Sequence, residues 1–377
     1  MGLRILIARP DHLGDVLLTL PSVVALREVF PRAHIGLMLA TSIAGVARRC
    51  PDIDETIALP FPPPDSTAAR HDWADVVRRT ASVLRDRFDL VILSRPEDPW
   101  SGEVAVAAGI PIRVGYTTPA TARFLTHAVS LCEEEHAVVQ TLRLAQEAAR
   151  CLGVSPAGQA ALAERVRSHP HVRFVPTAHE EALVAQVLSE APASGARPMV
   201  FQPGSGWPLK NWVAERWGRL GIEIRRRWGM NPLVPGGPGE TALVQAVVEA
   251  SEGSCLGLAE RLSVGALAAL YRRASLVIGI DSGPLHLAAM VGARIVGLYG
   301  PFSPRQWGPW CPPQMYRIVR VCLPCSPCGC IFDPPCGIPL QPPCTTGITI
   351  GSVLDAVADL HDAGGGRSRA GDGPSGF

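Results

Sequence analysis

The chain has 377 residues, 47% of them hydrophobic and 18% charged, with a formal net charge of +1 at pH 7. This is too long for one ordinary α/β domain and suits two, and the near-neutral balance gives no reason to expect a nucleic-acid partner. No apolar run reaches the roughly 18 residues of a membrane span, and the first nine residues hold only the short apolar stretch Ile5 to Ala8, too little for a secretory signal, so a cytoplasmic chain is expected.

Residues 3–8 read as a first strand, followed by a helix over 15–30 interrupted by Pro21 and stopped by Pro31. Strands follow at 34–39, 90–94 and 112–115, with a helix near 72–87 and a proline-rich loop over 60–66. The linker falls between 168 and 180. A second round has strands at 198–202, 231–234, 275–280 and, as the last strand, 295–299. Its helices start near Glu240, span 263–273, and run from Pro284 to Val291. Residues 351–361 form a short amphipathic helix before a Gly/Ser/Arg-rich tail. This βαβ rhythm predicts parallel sheets, with two halves repeating one architecture.

Ligands of open parallel sheets bind beyond the carboxyl ends of the strands. Polar or glycine-rich loops stand there at 9–15, 203–211, 281–286 and 236–240. Arg9-Pro-Asp-His-Leu-Gly-Asp-Val-Leu-Leu-Thr-Leu-Pro21 resembles the opening of glycosyltransferase family 9, the ADP-heptose:lipopolysaccharide heptosyltransferases. Gln202-Pro-Gly-Ser-Gly-Trp-Pro-Leu-Lys-Asn-Trp212 resembles that family's second-domain loop. Gly279-Ile-Asp-Ser-Gly-Pro-Leu-His-Leu-Ala-Ala289, followed by Leu298-Tyr-Gly-Pro301, resembles its donor-sugar loop. One departure is Ile280, where family members often have Asn.

The resemblance implies an α/β chain of the GT-B fold, two Rossmann-like domains with parallel sheets facing across a cleft. It implies an inverting transferase that needs no cofactor or metal for transfer. Residues 1–175 are then the acceptor-side domain. Residues 176–345 are the nucleotide-sugar-binding domain with a Cys-rich segment at 322–344, residues 346–362 a C-terminal helix, and 363–377 a disordered tail.

An Asp after Gly14 at a helix start is most often an N-cap. Inverting transfer needs a carboxylate to take the acceptor proton, and the resemblance assigns that base to Asp15; the two roles are compatible. Lys210 is the single lysine among 35 basic residues. A fixed cation stabilises the charge gained by a diphosphate leaving group, against the plain alternative of an exposed loop lysine. Ser205 and Gly206 would offer a hydroxyl and a backbone amide to the phosphates. Asp281 would accept from sugar hydroxyls, and the amides of Ser282 and Gly283 at a helix start suit a phosphate. His286 would orient that loop or touch the diphosphate, or is simply a satisfied helical histidine. Glu240 matches the family's ribose-binding position; by itself it is a helix-start carboxylate.

Cys50, Cys132, Cys151, Cys255 and Cys311 are scattered, whereas six cysteines crowd between Cys322 and Cys344. In a cytosolic chain such a cluster suggests metal more than disulfides. Cys322, Cys325, Cys336 and Cys344 are the candidate ligands of a structural zinc or iron, against free thiols or disulfides formed after lysis.

Three lookalikes carry less. Asp52-Ile-Asp54 leads into the apolar stretch 56–59 and reads as a turn into a strand. Asp281-Ser-Gly-Pro284 has no partnered His and Asp for serine catalysis. Gly236-Gly-Pro-Gly239 does not fit the dinucleotide fingerprint. The expected function is transfer of a sugar, most simply heptose from ADP-heptose, onto lipopolysaccharide core, another glycan or glycolipid, or a protein, with peripheral contact at the inner membrane surface. The alternatives are an epimerase or GT-B transferase using another nucleotide sugar such as a UDP-sugar, and a non-catalytic nucleotide-sugar-binding protein.

Overall fold

The structure, a computed structural model, describes residues 2–59, 69–168, 172–190, 197–338 and 340–365. The proline-rich loop expected over 60–66 and the tail beyond Gly365 lie outside the described residues, as does 169–171 within the expected linker. The chain divides into two compact units. One holds Met1–Val184 with Ser263–Ala269 and Pro304–Trp310, the other Ala185–Leu262, Leu270–Ser303 and Cys311–Phe377.

The first unit is built on strands β1 (Arg4–Ala8), β2 (His34–Ala40), β3 (Glu55–Leu59), β4 (Leu90–Leu93), β5 (Ile112–Tyr116) and β6 (His127–Val129). They pair parallel in the order β3-β2-β1-β4-β5-β6. Ile5, Leu6, Ile7 and Ala8 are all buried, as a parallel strand covered on both faces requires. Connecting helices are α1 (Leu13–Val29), α2 (Ala44–Ala47), α3 (Ala69–Leu84), α4 (Pro99–Ala107), α5 (Ala137–Cys151), α6 (Pro156–Arg167) and α7 (Ala178–Glu190). On α5 the buried residues Val138, Thr141, Leu142, Ala145, Ala148 and Ala149 recur at helical spacing and make one inward stripe. Pro21 does not interrupt α1, which runs through it as one helix of 17 residues.

The second unit repeats the plan. Its strands are β7 (Met199–Gln202), β8 (Leu233–Gly236), β9 (Leu256–Ala259), β10 (Leu276–Ile280), β11 (Ile295–Tyr299) and β12 (Tyr316–Arg320). Their order is β12-β11-β10-β7-β8-β9, again all parallel. Counted from its own first strand, each sheet reads 3-2-1-4-5-6, the order of dinucleotide-binding folds. The helices along this part of the chain are α8 (Ala214–Trp228), α9 (Thr241–Ala250), α10 (Val264–Arg273), α11 (Gly283–Met290), α12 (Pro304–Trp307), α13 (Pro343–Thr346) and α14 (Ile350–Gly365), of which α12 and the first part of α10 belong to the first unit.

α8 buries Trp217, Leu220 and Ile224 and stops at Gly229, whose φ of 68° is the left-handed cap that glycine adopts without strain. Trp212 stacks edge-on against Trp217 at 5.3 Å and donates its indole N–H to Ile348 O at 3.1 Å, tying the entry of α14 to this core. The strand at 295–299 is not the last. β12 follows it, with Arg317 and Arg320 among its five residues and mostly half-buried, a sheet-edge pattern that apolar patterning does not reveal.

Candidate active site

In each sheet the strand order turns back between two central strands, β1 and β4 in the first and β7 and β10 in the second. Loops leaving such strands diverge and open a crevice at their carboxyl ends. The first three sequence-predicted loops sit there: 9–15 follows β1, 203–211 follows β7, and 281–286 follows β10. The turn with Glu240 follows β8, beside them.

In the first unit His12, not Asp15, occupies the N-cap of α1, with extended backbone and no side-chain cap bond. The capping reading of Asp15 therefore fails. Asp15 is the third helical residue, facing the positive end of the helix dipole, and its Oδ1 accepts from Arg9 Nη2 at 2.7 Å. Arg9 is buried, and its Nη1 donates to Ser94 O, just past β4, at 2.7 Å. Asp11 completes the group: its Oδ1 lies 2.9 Å from Arg9 Nε and its Oδ2 3.6 Å from Arg95 Nε. Burial pushes the Asp11 carboxyl above its ordinary value against the pull of Arg9. It does the same to Asp98, the N-cap of α4. The Asp15 side chain is 16% exposed and that of Asp11 9%, so Asp15 is the more accessible carboxylate.

In the second unit Lys210 closes the short 3-10 turn after β7. Its Nζ donates to Asp281 Oδ2 at 2.7 Å and stands 4.2 Å from the centre of the Phe302 ring. The lysine is thus not an exposed loop residue; its side chain is 15% exposed and that of Asp281 6%. Paired in this way, the mostly buried Lys210 side chain is held in a fixed place. His286 Nε2 lies 3.9 Å from the other oxygen of Asp281. Burial, aided by Lys210 and opposed by Asp281, pushes the His286 imidazole down to about 4, so it is neutral at neutral pH.

Ser282 caps α11 by position without a side-chain cap bond, and Gly283 is its first helical residue. Ser282 Oγ and His286 Nδ1 are buried with no hydrogen-bond partner among the described residues. Buried polar atoms left unpaired are sites where a ligand or water is needed. Ser205 is turned inward instead: its Oγ accepts from Trp207 N–H at 3.2 Å and lies 2.9 Å from Asn211 Oδ1, so the hydroxyl shapes its loop. Gly206 faces open space. Glu240 accepts from Gly237 N–H at 2.7 Å and packs on Gly204, where an added Cβ would lie 2.0 Å from Glu240 Oε1. A side chain at position 204 would displace the Glu240 carboxylate from this place.

Sequence reasoning passed over Arg9, Asp11, Gly204, Phe302 and the buried pair Gln202–Tyr271, in which the phenol donates to the amide oxygen at 2.8 Å. The available signal was a charged residue immediately after an apolar strand, which Arg9 is. The Asp52-Ile-Asp54 lookalike serves structure, Asp52 pairing with Arg173 at 2.7 Å and Asp54 accepting from Ile35 N–H at 2.7 Å.

The expected four-cysteine site is not assembled. Among the described residues no three His, Cys, Asp or Glu side chains are grouped to hold a metal ion. Cys322 is exposed and Cys344 buried. Cys330 directs its thiol at Cys328 O, at 3.4 Å, and Cys336 at Ile338 O, at 3.9 Å, so these two thiols address backbone carbonyls. The cysteines whose charge bears on Cys344 are Cys328, Cys336 and Cys325, without Cys322.

Residues 77–334 match the family model described as glycosyltransferase family 9 (heptosyltransferase). The chain belongs to glycosyltransferase family 9. It is 24% identical over 345 residues to lipopolysaccharide heptosyltransferase 1 of Pseudomonas aeruginosa, covering 88% of each chain. The structure of a glycosyl transferase family 9 protein from Veillonella parvula superposes with a TM-score of 0.76 at 25% identity, over 96% of this chain and 97% of that one. The ADP-heptose lps heptosyltransferase II of E. coli has the same fold, with a TM-score of 0.71 at 20% identity over 96% and 99%. The two parallel sheets are therefore those of a family 9 glycosyltransferase of the GT-B class, an enzyme. Among the described residues no helix is long and apolar enough to cross a membrane.

Proposed function

We propose that this family 9 enzyme transfers heptose from ADP-heptose, with inversion, onto a hydroxyl of lipopolysaccharide core. The observation that carries the reading is the Lys210 ammonium fixed on Asp281 at the switch point of the second sheet, beside the unpaired Ser282 Oγ and His286 Nδ1. A stationary cation with free polar atoms around it suits a diphosphate. The choice of heptose and lipopolysaccharide follows the name of the Pseudomonas aeruginosa relative.

In the reaction the acceptor oxygen attacks the anomeric carbon on the face opposite the diphosphate. Its proton passes to Asp15, whose Oδ1 is held by Arg9. The bond between the anomeric carbon and the diphosphate oxygen breaks, and its electron pair leaves with ADP. Lys210 and the amide of Gly283 meet the charge that develops there, without a metal. Asp281 holds Lys210 in place and turns its remaining oxygen to the sugar. Neutral His286 orients that loop and adds no charge, and Glu240 binds the nucleotide ribose. The first unit serves the acceptor and the second the donor. The enzyme works in the cytoplasm, against the inner membrane surface where its acceptor lies.

Calorimetric titration with ADP, UDP and GDP tests the donor. The reading expects ADP to bind at least tenfold more tightly than the other two. Equal affinities, or a preference for UDP, would move the chain to another nucleotide sugar.

A further inference from the structure

We propose that Arg9 and Asp11 are a positioning pair for the transfer reaction, Arg9 aiming Asp15 and Asp11 offsetting the arginine's charge so that Asp15 stays a competent base. The proposal rests on the reading of Asp15 as the base. The guanidinium is anchored at one end by a backbone carbonyl, Ser94 O at 2.7 Å from Nη1. Its planar fork therefore has its direction set by the end of β4, and Nη2 reaches Asp15 Oδ1 at 2.7 Å from there. Oδ2 of Asp15 makes no hydrogen bond among the described residues and remains available for a proton.

Aim alone would weaken the base, because a neighbouring cation lowers the proton affinity of a carboxylate. In the geometry Asp11 stands on the same guanidinium, so Arg9 is shared between two carboxylates. The charged groups facing Asp15 and its arginine are Asp11 and Asp98, both bearing on Arg9, and Arg95, which bears on Asp11. Fully ionised, the three carboxylates outnumber the two arginines. Asp11 shares Arg9 directly, at 2.9 Å, and its side chain is less exposed than that of Asp15. Its remaining role in the geometry is electrostatic.

The test is the pH profile of kcat/KM for ADP release from ADP-heptose, with lipopolysaccharide core truncated before its heptoses as acceptor. Asp11→Asn removes a negative charge and is expected to move the acid limb down by about one pH unit, slowing the plateau rate about tenfold. Arg95→Gln removes a positive charge and is expected to move the limb up. Arg9→Lys keeps charge but loses the fork, so kcat should fall at least tenfold with the donor KM unchanged. Melting temperature and ADP affinity verify folding, and if Asp11→Asn does not fold, the other two variants decide. Limbs that stay put, or move in the same direction in Asp11→Asn and Arg95→Gln, overturn the proposal, as does full activity in Arg9→Lys. Asp15→Asn separates the two readings. Near-normal turnover there removes the base itself, whereas an inactive Asp15→Asn beside an unmoved Asp11→Asn limb removes only the positioning role.

Discussion

Lys210 Nζ and Asp281 Oδ2 stand 2.7 Å apart and join the loop after β7 to the loop after β10. On the proposed function, an ammonium fixed before any donor arrives acts on the diphosphate in ground and transition states alike. Lys210→Ala is expected to weaken ADP binding and slow transfer together, each by tenfold or more. Lys210→Arg should recover part of both, since a planar fork replaces a point charge over the Phe302 ring. Calorimetry with ADP and initial rates on the same preparations check this. Unchanged ADP affinity in the alanine variant would remove Lys210 from the donor site.

Asp15→Asn keeps the shape of the first turn of α1 and removes the carboxylate that the proposed function makes the proton acceptor. Turnover should fall about a hundred- to ten-thousandfold, with ADP affinity near that of the wild type. Since the cap of α1 is His12, the helix loses only the Asp15 charge at its start and the pairing with Arg9, of which the dipole part is about 0.3–1 kcal/mol. A fall of several degrees in melting temperature with turnover retained would return Asp15 to a structural role.

His286 gives the second unit an acid-sensitive element. Its folded imidazole is pushed down to about 4 by burial, so between that value and the ordinary 6.5 the unfolded chain binds more protons than the folded one. Stability is then present above 6.5 and is lost as pH falls toward 4. This one group should cost about 2 kcal/mol between pH 7 and pH 5. Urea denaturation at both pH values, in wild type and His286→Gln, isolates it: the variant should lose less on acidification. Equal losses would contradict the assignment.

The packing of α8 on α9 depends on Gly218. A Cβ there would lie 2.4 Å from the backbone carbon of Ala250, an atom that cannot move aside as a side chain would. Gly218→Ala should destabilise the chain by about 1–3 kcal/mol, despite alanine's better helix propensity. A urea midpoint at or above the wild-type value would contradict this packing.

The cysteines should differ in reactivity. Cys322 is exposed, whereas burial pushes the thiols of Cys50, Cys255 and Cys311 up to about 12. Titration with a disulfide reagent at pH 8, followed by peptide mapping, should label Cys322 early and those three only on unfolding. Early labelling of Cys255 or Cys311 would contradict their burial.

Much of the fold was legible because buried parallel strands are short apolar runs that end in turn residues. β1, β2, β4, β7, β10 and β11 all fall within a residue or two of the spans read from the sequence. Among the elements that escaped, which include α4 to α7, β6 and β9, β12 and α8 have a mixed signal. β12 carries two arginines in five residues, and α8 is so rich in arginine that only Trp217, Leu220 and Ile224 mark its buried stripe. The loops of the site were visible as polar and glycine-rich segments after strands, and its single lysine as a compositional exception. What could not be read was pairing. That Asp281 holds Lys210, that Glu240 rests on Gly204, and that Arg9 links Asp15 to Ser94 depend on contacts over 71, 36 and 85 residues of chain. For the same reason, ligand spacing among the cysteines does not fix where each thiol points.

The most direct measurement of the central claim is turnover of ADP-heptose by the purified full chain, with lipopolysaccharide core truncated before its heptoses as acceptor. The product's anomeric configuration is read by NMR. The account predicts one ADP released per heptose transferred and a product inverted relative to the donor. A product of retained configuration, or an enzyme inert to ADP-heptose that turns over a UDP- or GDP-sugar, would contradict it.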